Sequence, residues 1–486
     1  SDDNFPQKSQ EKLLLSDADR LHLNDIGLEI SKGGNEGLLA EKFLIYRGLT
    51  ESRNYLHISY PLANAEGSAM RPSPLIDRLK NFFPKIEIEL VQLDVLENLG
   101  TQGNYSIVES NSKLKDETAL ELYAAEKHMR GSVTRFEKFN KCPFQYFADY
   151  GLKLEERREY KLKVPDVGNI LHAIMKQFGE DLKEEKLRWA DVGKFEIENR
   201  VTKILDELTP KLNNKILLST KTLEHQRERI KKVAVSSLQR LAELDRHSQF
   251  HPEIFEATFS ALSKTHLIYD IDGVSMELVG KIDRIDFNED GNYFLIIDYK
   301  TGKAYLNLWE IYLGVNLQLL TYLMVTNNLQ AVGERMPAAM LYFFLKYPAK
   351  KGISIEDAKS NVDKELKMAG YTLDTEEVVR QIDSTLETLP IKFNNAGTVK
   401  AVLKNNVKSD LDFKALMKFV EDKLKETGKK ILSGNIAVEP IKTKKNDACK
   451  YCAYNEICRL DKKLNVETKQ TIDDNEILKR MRNSLT

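Results

Sequence analysis

The sequence predicts an α/β fold, a mixed sheet flanked by helices, and three stretches predict it. Phe294-Leu-Ile-Ile-Asp-Tyr-Lys300 is an apolar run of strand length. Residues 276–287 read as a partner strand, and the polar connection Asn288-Glu-Asp-Gly291-Asn makes the two a hairpin. Residues 306–327 then carry the 3.6-residue periodicity of a helix. Side chains two apart on a strand share a face, so Asp298 and Lys300 stand side by side, and Asp283 on the partner strand can face them.

The 486 residues suffice for two or three domains, and 42% hydrophobic with 30% charged residues is an ordinary globular composition. A net charge of −1 excludes a global basic field, so any nucleic-acid contact must use local patches. Lys127-His-Met-Arg130, residues 225–232 and residues 442–445 are such patches, and each reads more simply as a solvated helix face or loop. No apolar run approaches the roughly 18 residues of a membrane span and no signal-peptide core is present, so an intracellular, cytoplasmic protein without membrane contact is expected. The chain opens on Ser in polar sequence, which reads as a piece of a larger protein.

In chain order, residues 1–115 read as an α/β piece with helices at 38–47 and 74–83 and strands at 55–60 and 86–91. Residues 70–74 form a turn that starts the second helix, and residues 100–115, rich in Asn, Ser and Gly, read as a linker. A helix is expected over 116–129, and Gly131-Ser132 caps another over 133–147. Asp166 is expected to cap the next helix, on which Gly168 and His172 lie four apart on one face. Residues 176–248 read as charged helix with a buried stripe at Leu238, Leu241 and Leu244. Strands are expected at 253–260 and 338–345, and helices at 356–369, 375–387 and 409–427. The polar tail, 463–486, is expected to be partly disordered, which leaves 1–115, 116–462 and 463–486 as the three divisions.

The chemistry sits in two groups of residues. Two carboxylates at adjacent strand ends can hold Mg²⁺ through hard oxygen ligands, and the metal can polarise a phosphoryl oxygen and acidify a bound water. Lys300 would orient or activate that water, with Gln318 and Tyr322 four apart on one helical face behind it. An isolated Asp-x-Lys is otherwise an ordinary surface ion pair, and a lone His172 on an apolar face is ordinarily a satisfied core histidine. The second group is Cys449-x2-Cys452-x5-Cys458, with Cys142 as the remaining thiol. Four thiolates suit a structural zinc or a [4Fe-4S] cluster equally, and unligated cysteines are the third reading.

Gly280-Lys-Ile-Asp283-Arg-Ile-Asp, Ile297-Asp298-Tyr-Lys300-Thr-Gly and Leu317-Gln318-Leu-Leu-Thr-Tyr322 resemble the RecB-like branch of the PD-(D/E)XK nucleases. The resemblance implies a RecB-like nuclease core. In it Asp283, Asp298 and the Tyr299 carbonyl hold the metal, Lys300 serves the attacking water, and Gln318 and Tyr322 support the site. A Gly-x-x-x-His helix ahead of the hairpin, matched by Gly168 and His172, implies His172 as a further ligand. Cys142-Pro-Phe-Gln-Tyr-Phe147 together with the far cysteine triplet resembles the iron-sulfur nuclease domains of AddB-type subunits of bacterial helicase-nucleases, and more distantly the Cas4 nucleases. That likeness implies a structural [4Fe-4S] cluster on Cys142, Cys449, Cys452 and Cys458, an AddA-type helicase-nuclease subunit as heterodimer partner, and single-stranded DNA as substrate. It further implies a Mg²⁺-dependent exonuclease acting on double-strand break ends in recombinational repair.

In front, Tyr46-Arg-Gly-Leu-Thr50-Glu51-Ser-Arg53 is similar to the last ATPase motif of superfamily 1 helicases, with Glu51 where that motif has arginine. An acid there would repel a γ-phosphate, and no Gly-x4-Gly-Lys-[Ser/Thr] occurs in the chain, so the end of a degenerate helicase-like domain without ATP hydrolysis is expected. The competing readings are a non-catalytic DNA-holding module with a decayed site and a Cas4-like nuclease. The full His, Asp, Asp, Lys, Gln, Tyr set argues against decay.

Overall fold

The structure is a computed structural model that describes residues 16–28, 34–63, 69–90, 112–155, 157, 159–262, 267–329, 332–347, 366–389, 391–393, 399–401, 406–444, 446–458, 460 and 468–485. The chain divides into two units, Ser1–Val108 and Glu109–Thr486. Residues 100–111 of the expected linker lie outside the described residues, and at its end Leu114 N–H donates to the Gly434 carbonyl at 2.8 Å, inside the second unit.

The first unit contains α1 (Asp17–Asp25), α2 (Gly34–Thr50) and α3 (Pro74–Phe82). Ser16 and Asp19 form a reciprocal cap on α1, and Ser73 with Pro74 starts α3 as the turn chemistry predicts. The expected strands at 55–60 and 86–91 do not form over the described residues: 55–60 and 86–90 are unpaired, and 91 lies outside them. A strand exists only through a partner's hydrogen bonds, and no described residue of this unit pairs with either segment as a strand. Its helicase likeness therefore rests on sequence alone.

The second unit is built on a six-stranded mixed sheet in the order β11-β8-β7-β6-β5-β2. Its strands are β2 (Phe250–Thr258), β5 (Lys281–Asn288), β6 (Tyr293–Lys300), β7 (Met336–Phe344), β8 (Ala369–Leu373) and β11 (Val407–Lys408). The hairpin β5–β6 is antiparallel with Arg284 paired to Ile297, and β6 runs parallel to β7. Asn288 closes the turn by accepting the Tyr293 N–H at 2.8 Å, and Gly291 takes a φ of 73°. β6 is buried along nearly its whole length, as a strand covered on both faces should be.

A second, three-stranded sheet, β1-β4-β3, comprises β1 (His128–Ser132), β3 (Ile268–Ile271) and β4 (Val274–Val279). The expected single strand over 276–287 is thus split at Gly280 between β4 and β5. A Cβ on Gly280 would lie 2.5 Å from the Phe259 ring, so only glycine lets the chain pass there. β9 (Ile391–Phe393) and β10 (Val399–Ala401) form a separate pair.

The helices depart from expectation where tertiary pairing or proline intervenes. α4 (Asp116–Tyr123) stops early because residues 128–132, whose start was expected to be helical, pair in parallel with β4 as β1. The helix expected over 133–147 breaks into α5 (Val133–Lys141) and α6 (Pro143–Tyr146), with Cys142 extended at φ −166° before the proline. Ser132 caps α5 through the Arg135 N–H, as expected. On α7 (Val164–Glu185) the N-cap is Lys163, and Asp166 is the third helical residue, accepting the Lys163 N–H at 2.8 Å. α8 (Lys194–Leu208) and α9 (Lys221–Arg246) follow, and Leu238, Leu241 and Leu244 are buried.

α10 (Phe259–Leu262) is one turn. The helix expected over 306–327 is two, α11 (Leu308–Tyr312) and α12 (Gln318–Asn327), interrupted at Gly314 with a φ of 80°. The expected helix 356–369 lies outside the described residues up to 365, and Ala369 begins a strand. α13 (Glu376–Ile382) and α14 (Asp410–Leu432) match the remaining two patterns, and α15 (Asn455–Cys458) is a single turn. The tail is not structureless: α16 (Asp474–Asn483) buries Ile477, Leu478 and Met481 against the core, and Arg482 pairs with Asp412 of α14 at 2.6 Å.

Candidate active site

Extending the β5–β6 register by one residue from Arg284 and Ile297 sets Asp283 opposite Asp298. Both carboxylates are buried. Asp283 Oδ2 accepts the Tyr299 N–H at 2.8 Å, and its Oδ1 lies 3.3 Å from His172 Nδ1 on α7. Burial works to lower the His172 pKa, but the hydrogen bond and charge of Asp283 outweigh it and the imidazole titrates above its ordinary range. Gly168, one turn earlier, is not forced by packing, since a Cβ there would meet only Thr301 Oγ1 at an ordinary 3.7 Å.

Asp298 is pushed up to about 6, first by burial and then by the neighbouring Asp283 charge, while Lys300 pulls the other way. The Lys300 ammonium is 2.6 Å from Asp298 Oδ2, yet that buried oxygen receives no directed hydrogen bond. Lys300 Nζ donates instead to Gln318 Oε1 at 2.9 Å, and Gln318 Nε2 donates to the Tyr322 hydroxyl at 2.9 Å. The expected helical pair thus meets the strand lysine directly, because α12 begins at Gln318 and packs on β6 and β7.

Two further carboxylates belong to the neighbourhood. Glu256 on β2 faces Asp283, since its neighbours Phe255 and Ala257 pair with Arg284 and Ile282. Its φ is 42°, a strained value for a side-chain-bearing residue, and Lys281 holds its carboxylate at 2.8 Å. Ligand atoms of His172, Glu256 and Asp283 all lie within 4.8 Å of one another, and among the described residues they are the only such set of histidine, cysteine and carboxylate groups. The sequence does carry a signal for Glu256: an acid inside the apolar strand Ile254-Phe255-Glu256-Ala257, close ahead of the hairpin. Glu137 on α5 accepts the N–H groups of Leu317 and Gln318 at 2.7 and 3.0 Å. No motif marks it, because its partners are backbone groups.

The residues fit a divalent cation: two carboxylates and an imidazole converge, the Asp298 carboxylate is near enough to feel Asp283 and His172, and Asp298 Oδ2 is a buried atom without a directed donor.

Cys142 ends α5, and Cys452 lies near it. Segment 437–441 lies against 141–144, with Ile441 N–H donating to the Lys141 carbonyl at 2.8 Å and Phe144 N–H to the Ala437 carbonyl at 3.1 Å. Burial raises the Cys142 thiol pKa, the backbone N–H groups of Gln145, Phe144 and Glu439 lower it, and Cys452 is near enough to raise it again. The N–H groups around this sulfur suit a ligated thiolate, and none of the four cysteines is in a disulfide. Cys449 is buried, and Asn455 Nδ2 donates to the Cys452 carbonyl at 2.7 Å.

Among the described residues no helix is long and apolar enough to cross a membrane. Of the basic patches, His128 and Arg130 are tied to Glu277 at 3.1 and 2.9 Å.

Comparison with known proteins agrees with this geometry. Residues 130–459 match the PD-(D/E)XK nuclease superfamily. The chain is 32% identical to the B subunit of the ATP-dependent helicase/deoxyribonuclease of Bacillus subtilis (strain 168), over 95% of this chain and 45% of that protein. The corresponding B subunits of Desulforamulus reducens and Alkaliphilus oremlandii are 32% and 30% identical, over 95% and 98% of this chain and 45% and 47% of theirs. The chain thus spans less than half the length of these relatives. With the matched region covering both the hairpin carboxylates and the cysteine triplet, the chain belongs to the PD-(D/E)XK nuclease superfamily, as a relative of the B subunits of ATP-dependent helicase/deoxyribonucleases.

Proposed function

We propose that this chain is a Mg²⁺-dependent deoxyribonuclease domain that hydrolyses phosphodiesters of a DNA strand by attack of water. The observation that carries the reading is the convergence of ligand atoms of Asp283, His172 and Glu256 from two strands and a helix, with Asp298 close enough to interact with Asp283 and His172 and with the Lys300 ammonium 2.6 Å from Asp298. Asp283 and Asp298 would hold the cation, with His172, Glu256 and the Tyr299 carbonyl as further donors. A bound Mg²⁺ supplies a Lewis acid for the phosphoryl oxygen and a more acidic water. Lys300, held by Gln318 and backed by Tyr322, places a positive charge where the nucleophile and the developing negative charge need it.

The cysteine set is read as a [4Fe-4S] site with a structural role. The support for this is the likeness of Cys142-Pro-Phe-Gln-Tyr-Phe147 and the Cys449-x2-Cys452-x5-Cys458 triplet to iron-sulfur nuclease domains, because four thiolates by themselves suit zinc or an iron-sulfur cluster equally. From the resemblance to AddB-type subunits we further infer exonucleolytic processing of DNA ends in recombinational repair, on a single strand delivered by an AddA-type helicase-nuclease partner in a heterodimer.

Asp298→Ala is expected to abolish Mg²⁺-dependent digestion of linear single-stranded DNA by the full protein, with unchanged folding; equal activity in both proteins would remove the site assignment. Anaerobically purified protein is expected to be brown and to contain about four irons and four sulfides. A colourless protein with stoichiometric zinc would replace the cluster with the other metal.

A further inference from the structure

The structure assigns Glu137 as a positioning residue: we propose that it carries the hold of the cysteine cluster through α5 to Lys300. The inference rests on the nuclease reading for its kinetic consequence only. α12 is buried along almost its whole length and its N-cap, Leu317, provides no side-chain cap. The first N–H groups of a helix need acceptors, and a buried helix end without them is unstable. Here one carboxylate oxygen of Glu137, from a different helix, accepts two of them at 2.7 and 3.0 Å. One of the two is the N–H of Gln318, whose side chain holds Lys300. The start of α12, and with it the lysine, is thus fixed by where α5 lies.

α5 is in turn fixed by the cysteine region. It ends on Cys142. Lys138 pairs with Asp149, and the same Asp149 carboxylate accepts the hydroxyl of Tyr454, which lies between Cys452 and Cys458. Asn140, one turn beyond Phe136, donates to the Gly314 carbonyl at 2.9 Å in the break just ahead of α12. A Cβ on Gly314 would come within 2.5 Å of that amide, so the two segments are in close contact. A nine-residue helix held at one end by the cysteine-bearing segment and presenting Glu137 and Asn140 to the start of α12 is a short strut between the two regions.

Hydrogen exchange over residues 314–322 of the full protein tests this without relying on turnover. Glu137→Ala is expected to raise exchange there about tenfold or more while β5 and β6 stay protected. It should also lower kcat on single-stranded DNA by about tenfold or more, the scale of a displaced catalytic group, with KM and Mn²⁺ affinity within about twofold. Glu137→Gln retains the accepting oxygen and should stay close to wild type in both. Glu137→Asp, one methylene short, should give the Ala pattern in weaker form and serves if the Ala protein does not fold. Tyr454→Phe, which leaves every cysteine in place, should raise exchange in the same segment. Combined with Gln318→Ala, Glu137→Ala should add little further loss of kcat. Unchanged exchange at 314–322 in Glu137→Ala, a rise spread evenly over the sheet, or no response to Tyr454→Phe would each overturn the strut. A wild-type protein without metal-dependent turnover would instead overturn the nuclease reading, and the exchange pattern would still decide the role of Glu137.

Discussion

Asp298 illustrates how a single residue can be read twice. In the sequence it is half of an Asp-x-Lys pair on one strand face; in the fold it is buried opposite a second carboxylate and shifted from 3.8 to about 6, a cost of roughly 3 kcal/mol at neutral pH. A divalent cation bound there would offset that cost, which is why paired buried carboxylates favour metal over an unfilled site. Glu256 escapes a motif reading because its neighbours place it opposite Asp283 only once β2 has paired with β5. Away from the site, His251 bridges Asp245 at 3.0 Å and Glu289 at 2.8 Å. The Asp245 hydrogen bond is the main cause that raises the His251 pKa above 6.5. Burial would raise Asp245, but the bond to His251 and the Ala190 N–H take it below 3.8. A raised histidine stabilises below its unfolded pKa and loses this as pH climbs through the folded one; a lowered aspartate stabilises above its unfolded pKa and loses this as pH falls. The pair therefore contributes most between about pH 4 and 6.5. His251→Gln is expected to cost roughly 1 kcal/mol in denaturant unfolding at about pH 5.5 and distinctly less at about pH 9; an equal loss at both would refute the ion-pair account.

Among elements, α7 and β2 govern whether His172 and Glu256 can meet. The two pack closely at Gly179, where a Cβ would lie 2.4 Å from the Phe255 ring, next in sequence to Glu256. Gly179→Ala is expected to destabilise by about 1–3 kcal/mol through overpacking and to weaken Mn²⁺ binding as measured by calorimetry. Unaltered metal affinity in a folded variant would separate this contact from the site. Helical periodicity is enough to find α7, α9 and α14 because each has one apolar face. It fails at residues 128–129 and at 313–317, where parallel pairing with β4 and the left-handed Gly314 override local preference.

Across the whole second unit, the chain that follows the sheet returns to close it. α14 packs against α5 and α12, and α16 packs on α14 and α11. The polar composition of the tail conceals this, because three buried residues, Ile477, Leu478 and Met481, in one short amphipathic helix are a weak signal among charged neighbours. Truncation before residue 471 is expected to lower stability by about 3–6 kcal/mol, from about 1.5–3 kcal/mol per large apolar side chain with allowance for its own ordering entropy. A loss below about 1 kcal/mol in denaturant unfolding would mean that the helix is only loosely docked.

Residue types and spacing were enough to place the hairpin, the facing Asp283 and Asp298, the neighbouring Lys300, the Gln318 and Tyr322 pair and the cysteine spacing, and the family resemblance supplied their expected roles. All of these recur at short intervals along the chain, which local backbone geometry converts directly into shared faces. Folding in three dimensions added Glu256 and Glu137 to the site, made β1 a strand and docked the tail as a helix. Each of these depends on backbone groups or surfaces supplied by segments far along the chain, and no local period encodes which of them will come to meet it.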